Sequence, residues 1–249
     1  MQRPLTNHKN HALAKTLRLL LTSHKPFIMN HKKTISLSPI IKALLPKRLY
    51  KKRFLLQDKG HDNHINIAKD ARIIGNSTIT IRKGDDNQIT IGQGGKFNQL
   101  KIDINGNHNQ VTIGEHVKFS GQLLVVGNHL HIYIGNHTTA IDCYILARDK
   151  SVTIGQSCMI SRGIEIRATD VHKVYDIDTN ARVNKAHTDV ILGDHIWIAA
   201  NVTISKNVSI ASGCIIAAGA FVNKPVETPN CMIAGTPAKI IRQNVRWER

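Results

Sequence analysis

Between positions 192 and 222 every sixth residue is a branched aliphatic: Leu192, Ile198, Ile204, Ile210, Ile216 and Val222. Each is followed by a small or polar residue (Gly193, Ala199, Ser205, Ala211, Ala217, Asn223). Four places on from the first five stand Ile196, Val202, Val208, Cys214 and Ala220, all apolar or small. A period of six is neither the 3.6 of a helix nor the simple alternation of a two-faced strand. It predicts strands of a few residues, each ended by a turn and stacked as a solenoid with one aliphatic per face turned inward. Three such faces close a coil of about 18 residues, so this stretch is roughly two coils.

Towards the N-terminus the pattern loosens but persists. GHDNHINIA (60–68), GDDNQITIG (84–92), GNHNQVTIG (106–114) and GNHLHIYIG (127–135) are copies of one nonapeptide, and ARDKSVTIG (147–155) is a degenerate fifth. They predict one inner column of Ile67, Ile91, Ile113, Ile134 and Ile154. The Gly, Asn and Asp heading each copy suit turns that need left-handed backbone. His61, His64, His108, His129 and His131 recur with those turns, which makes them structural rather than metal ligands. Five loose coils and two strict ones give about seven.

The ladder breaks once. Ile154, Ile160 and Ile166 keep the six-residue step, and the next aliphatic in register is Leu192, 26 residues later. The intervening residues, 167–190, are polar and charged, a loop extruded from the solenoid. It contributes little core, so it is expected to carry function. It holds Asp170, His172, Asp176, Asp178 and His187. A histidine with carboxylates two before and four after it can serve as a general base with an orienting partner.

Charge divides the chain differently. The net charge is +17, but residues 1–59 hold fourteen Lys and Arg against one acid, Asp58, for +13. Residues 12–22 and 39–56 read as short amphipathic helices, with Ser38 capping the second and Pro46 interrupting it. A basic amphipathic segment suits an anionic membrane surface or a polyanion, and otherwise a helical cap on the first coil. Nucleic acid is not an expected partner, because the segment has no recognised motif and few aromatics. The organisation expected is a basic N-terminal segment (1–59), a solenoid (60–242) and a short tail (243–249). Aromatics make up only 4% of the chain, which suits a core of stacked Ile, Val and Leu. The four cysteines have no zinc or disulfide spacing, and Cys158 and Cys214 fall on inward positions, as free thiols of a reducing compartment do. No apolar run is long enough for a transmembrane helix, and no signal-peptide pattern is present. The expected location is cytoplasmic, peripheral at the inner membrane if residues 1–59 dock there.

The strict ladder resembles the hexapeptide repeat of left-handed parallel β-helix acyltransferases. Within that family, TDVHKVYDIDTNARVN followed by ILGDHIWIAANVTI is similar to the capsule, lipopolysaccharide and sialic-acid O-acetyltransferases. The resemblance implies an all-β solenoid of left-handed hand, acetyl-CoA as co-substrate and a hydroxyl of a bacterial polysaccharide as acceptor. It also implies a homotrimer with the cofactor held between neighbouring solenoids. It places the catalytic base on His172 and an active-site tryptophan on Trp197, with Asp170 or Asp176 orienting the histidine. AAGAFVNKPVETPNCMIAGTPAKIIR is similar to the segment lining the acetyl-CoA groove. By position, Ala200 and Ala218 would touch the pantetheine arm, Asn223 and Lys224 would lie near the cofactor, and Lys239 and Arg242 would meet its phosphates. The chain departs from the family at Ala199, where glycine is usual. No residue of the ladder stands out as a covalent nucleophile, which favours direct transfer. Two alternatives remain: N-acetylation of an amino sugar, and a γ-type carbonic anhydrase using His172, His187 and His195, or a non-catalytic β-helix.

Overall fold

The inward aliphatics stack as the period requires. In the structure, a computed structural model that describes residues 54–249, Ile67, Ile91, Ile113, Ile134, Ile154, Leu192 and Ile210 follow one another in register down a parallel seven-stranded sheet. This sheet is the first face. From Ile91 onward the column is buried. The second face carries Ile160, Ile198, Ile216 and Ile233, and the third carries Ile145, Ile166, Ile204 and Val222, again paired rung on rung. Fully burying one such side chain contributes about 1.5–3 kcal/mol, so the repeated column is the main source of stability.

Leu192 lands where the ladder break predicted. It pairs with Ile154, and Gly155 N donates to Leu192 O at 2.9 Å, so the chain leaves the third face, makes its loop and resumes the first face one rung on. The seven first-face strands are followed by a rung at Val226, bridged to Ile210, which makes about eight turns rather than the seven expected. The extra turn had lost its repeat signature, as terminal repeats do.

Most corners are turned by residues in the left-handed region. Between the first and second faces they are Gly94, His116, His137, Ser157, His195 and Gly213. Between the second and third they include Gln99, Gly121, Asp142, Gly163, Asn201 and Gly219. At Gly121 (φ 133°) glycine is required, since a Cβ would run into the backbone of Cys143 in the next coil. The turn histidines are structural: His108 stacks on His129 with centroids 4.8 Å apart, and His116 stacks on His137 at 5.1 Å. Beside them runs a buried amide ladder. Asn63 Oδ1 accepts from Asn87 N (2.8 Å), Asn87 Oδ1 from Asn109 N (2.9 Å), and Asn109 Oδ1 from Leu130 N (3.0 Å). All four cysteines are buried and free, and burial pushes the Cys158 thiol up to about 11, so they behave as small core side chains.

At the start of the described chain, Phe54–Asp58 is a strand on the third face, paired in parallel with Ser77–Lys83. The helix expected over 39–56 therefore cannot reach its predicted end, since a continuous apolar run such as Phe54-Leu55-Leu56 fits strand as well as helix. The rest of that helix, the one expected over 12–22 and the remainder of the basic segment lie outside the described residues. No helix among the described residues is long and apolar enough to cross a membrane.

Candidate active site

The loop leaves the third face after Ile164–Arg167 and is fixed at its root. Thr169 is buried; its hydroxyl donates to Asp149 Oδ2 at 2.7 Å and accepts from Val171 N at 2.9 Å. A three-residue turn follows, closed by His172 N donating to Asp170 O at 2.7 Å, with Val171 at φ 67°. A β-branched residue is rarely held there, and such local strain, about 1–3 kcal/mol, clusters at functional sites. The residue this turn presents is His172, whose side chain is exposed.

Beyond it the loop folds as a small hairpin. Val183 N donates to Val174 O and Asp176 N to Ala181 O, both at 2.9 Å. Asp176 is occupied at the tip: its Oδ1 accepts from Thr179 N and Oγ1, both at 2.8 Å, and these bonds hold its carboxyl below the usual range. Asn184 ties the hairpin to the root. Its Nδ2 donates to His172 O (2.8 Å) and Asp170 Oδ2 (3.0 Å), while its Oδ1 accepts from Val174 N (2.8 Å). Lys206, from the corner of the next coil, lies 2.6 Å from Asp170 Oδ2. Asp170 and Asp176 thus both have other partners. No side chain among the described residues hydrogen-bonds the His172 imidazole, so the carboxylate expected to fix its tautomer is in neither case in contact with it.

Trp197 lies elsewhere, on the second face, half-buried between Met159 and Ile215 of adjacent rungs. His172 springs from the corner between the third and first faces. One chain therefore does not bring the base and the tryptophan onto the same wall. What does approach Trp197 is the C-terminal tail. Trp247 is buried, stacks on His195 at 4.2 Å and tilts against Trp197 at 6.2 Å. Its indole Nε1 donates to His195 O at 2.9 Å, and Arg249 Nη2 reaches Cys158 O at 3.0 Å. Residues 243–249 are therefore packed against the second face.

The residues matched to a cofactor groove divide into two groups. Ala200 and Ala218 occupy the corner between the second and third faces one coil apart, linked by Gly219 N donating to Ala200 O at 2.9 Å. Thr236 Oγ1 reaches Gly219 O at 3.3 Å and sets the final hairpin above that corner. There Lys239 and Arg242 stand exposed on Ala238–Arg242, antiparallel to Met232–Gly235. Asn223 and Lys224 are exposed where the third face ends at Phe221–Val222, one corner further on. Among the described residues Lys224, Lys239 and Arg242 make no ion pair, which leaves their charges available to phosphates. The trio His172, His187 and His195 does not assemble, and among the described residues no three His, Cys, Asp or Glu side chains are grouped as metal ligands.

Asn184, Lys206, Thr169 and Trp247 escaped the sequence reading. Asn184, Lys206 and Trp247 work through partners 12 to 52 residues away with no periodic relation to them, and Thr169 meets Asp149 about one coil back, at the corner from which the loop departs.

No protein-family model matches the chain. It is 33% identical over 196 residues to the polysialic acid O-acetyltransferase of Neisseria meningitidis, covering 78% of this chain and 90% of that protein. It is 46% identical over 119 residues to the polysialic acid O-acetyltransferase of Escherichia coli O1:K1 / APEC, covering 47% of this chain and 38% of that one. Among solved structures it is similar to the polySia specific acetyltransferase NeuO, with a TM-score of 0.70 and 32% identity over 79% of this chain and 89% of that one. The polysialic acid O-acetyltransferase OatWY gives a TM-score of 0.73 and 31% identity over 78% and 91%. With its three stacked columns, its single extruded loop and this likeness along most of its length, the chain belongs to the hexapeptide-repeat, left-handed β-helix O-acetyltransferases, the family of the polysialic acid O-acetyltransferases.

Proposed function

We propose that this protein transfers the acetyl group of acetyl-CoA to a hydroxyl of a bacterial surface polysaccharide of the polysialic acid kind, or of its precursor, with His172 as the general base. The observation that carries the reading is the strained, clamped turn that presents His172 to solvent at the root of the loop. A sugar hydroxyl is a poor nucleophile at neutral pH, and an imidazole titrates in the range where it can accept the proton. His172 takes that proton as the oxygen attacks the thioester carbonyl. The tetrahedral oxyanion collapses with cleavage of the C–S bond, and the imidazolium returns its proton to the departing thiolate. A backbone N–H of the groove is the oxyanion donor. Transfer is direct, without an acyl-enzyme.

Assembly as a homotrimer completes the site, because His172 and Trp197 lie on different walls of one solenoid. The second face of one copy, with Trp197 and Trp247, would meet the loop of the next. Ala200 and Ala218 leave room for the pantetheine arm, Asn223 and Lys224 lie alongside, and Lys239 and Arg242 meet the phosphates. Residues 1–59 hold the enzyme against an anionic surface, either the inner face of the membrane or the polymer itself. The test is mass spectrometry of polysialic acid after incubation with the enzyme and acetyl-CoA. Ester-linked acetyl, labile to mild base, is expected; acetylation of amine-bearing acceptors alone would replace the reading with N-acetyltransfer.

A further inference from the structure

Beside the loop root is an open cleft of about 420 Å³ lined by Asp149, Lys150, Arg182, Lys185, Ala186 and His187. That volume falls within the roughly 300–1,000 Å³ range of small-molecule sites. Its charge is one-sided. Asp149 is the acid of the lining, and its Oδ2 already accepts from the Thr169 hydroxyl and lies 3.8 Å from Arg182 Nη2. The neighbouring carboxylates are also engaged: Asp170 with Lys206 and Asn184, and Asp189 with Ser151 N. Lys150 and Lys185 make no ion pair among the described residues. The cleft is also tied to the base. Arg182 Nε donates to Asn184 Oδ1 at 3.4 Å, and the same Asn184 holds His172 O at 2.8 Å.

Building on the acceptor reading above, we propose that this cleft is the subsite for the carboxylate of an acidic sugar, and that it makes the enzyme select a carboxylated polymer over a neutral one. Lys150 and Lys185 supply the charge. Arg182, steadied by Asp149 and Asn184, offers a planar donor edge suited to a carboxylate. A neutral polysaccharide would leave these cations unanswered. A polymer with a carboxylate on every residue satisfies them while placing a neighbouring hydroxyl near His172. Thiol-cofactor phosphates are the competing anion, and they separate from the carboxylate by experiment.

The measurement is calorimetric titration of the full chain carrying His172→Ala, so that binding is read without turnover. The ligands are a sialic acid oligomer, the same oligomer with its carboxyls reduced to alcohols, and CoA. Adding Lys150→Gln and Lys185→Gln together should weaken the acidic oligomer about tenfold, the size two exposed charge contacts supply together. It should barely affect the reduced oligomer or CoA. Without the His172 change, the same pair of substitutions should raise KM for the acidic polymer more than it lowers kcat. Undiminished binding of the acidic oligomer, an equal loss for the reduced one, or a loss confined to CoA would each overturn the subsite. If the chain with both lysines intact neither bound nor acetylated either oligomer, the acceptor reading itself would fail and the subsite with it.

Discussion

The coils before the loop and those after it share one core but finish their corners differently. In three of the coils before the loop, strands run through the corner between the second and third faces. Lys96–Asn105 and Thr139–Arg148 each span ten residues, bent by an irregularity in register. Their other corners are laced by stacked imidazoles and the buried Asn63–Asn87–Asn109 ladder. After the loop, strands are two residues long (Trp197–Ile198, Thr203–Ile204, Ile215–Ile216), and the corner between the second and third faces carries Ala200 beside Asn201 and, one coil on, Ala218 beside Gly219. The first half therefore invests its polar residues in holding itself together. The second half keeps small residues at the corner to which the proposed cofactor arm is assigned. The loop sits at the junction, anchored to Asp149 below and Lys206 above. The same repeat carries a polar lacing in one half and the proposed site in the other, according to what occupies its corners.

The sharpest test of that division is the base. His172→Ala should lower turnover by about a hundredfold or more, the usual span for loss of a general base, with circular dichroism and thermal unfolding unchanged. Near-normal turnover in a folded variant would move the chemistry off the loop. Next is a paired substitution of two asparagines with opposite expected effects. Asn109→Ala leaves Leu130 N and Gly127 O without their partner inside the solenoid. It should cost about 1–3 kcal/mol in denaturant unfolding, with turnover per folded molecule preserved. Asn184→Ala should do the reverse, sparing stability and lowering kcat by releasing His172 O. If both asparagines affected the same quantity, the contrast between scaffold and site would collapse.

A smaller effect is expected at the far hairpin. Lys239→Ala and Arg242→Ala should each raise KM for acetyl-CoA several-fold with little change in kcat, because phosphate contacts are nearly equal in ground and transition states. A fall in kcat at saturating donor would draw these residues into the chemistry. The mildest readout concerns the basic segment. Full-length protein should co-sediment with anionic liposomes at low salt and release as ionic strength rises, since the Debye length falls from about 10 Å at 0.1 M to about 3 Å at 1 M. A chain beginning at Lys52, which keeps the Phe54–Asp58 strand, should lose that binding. Equal sedimentation of both chains, with a lower melting temperature for the shorter one, would make the segment a cap.

Much of this was determined by the sequence alone. In a solenoid the partner of each core residue lies one coil away at a nearly constant separation, so periodicity by itself names the contact. Ile91, Ile113, Ile134 and Ile154 could be stacked from their spacing, and the place of the loop followed from the one break in the step. Where repetition fades the reading failed: the Val226 rung carries no clear motif, and Phe54–Leu56 fits helix and strand equally. The site depended on tertiary structure for the same reason. Asn184 with His172, Lys206 with Asp170, and Trp247 with His195 are aperiodic pairs whose separations repeat nowhere in the chain. Only the closed triangle of the coil decided that His172 and Trp197, 25 residues apart, lie on different walls, because the face a residue occupies depends on how many corners the chain has turned before reaching it.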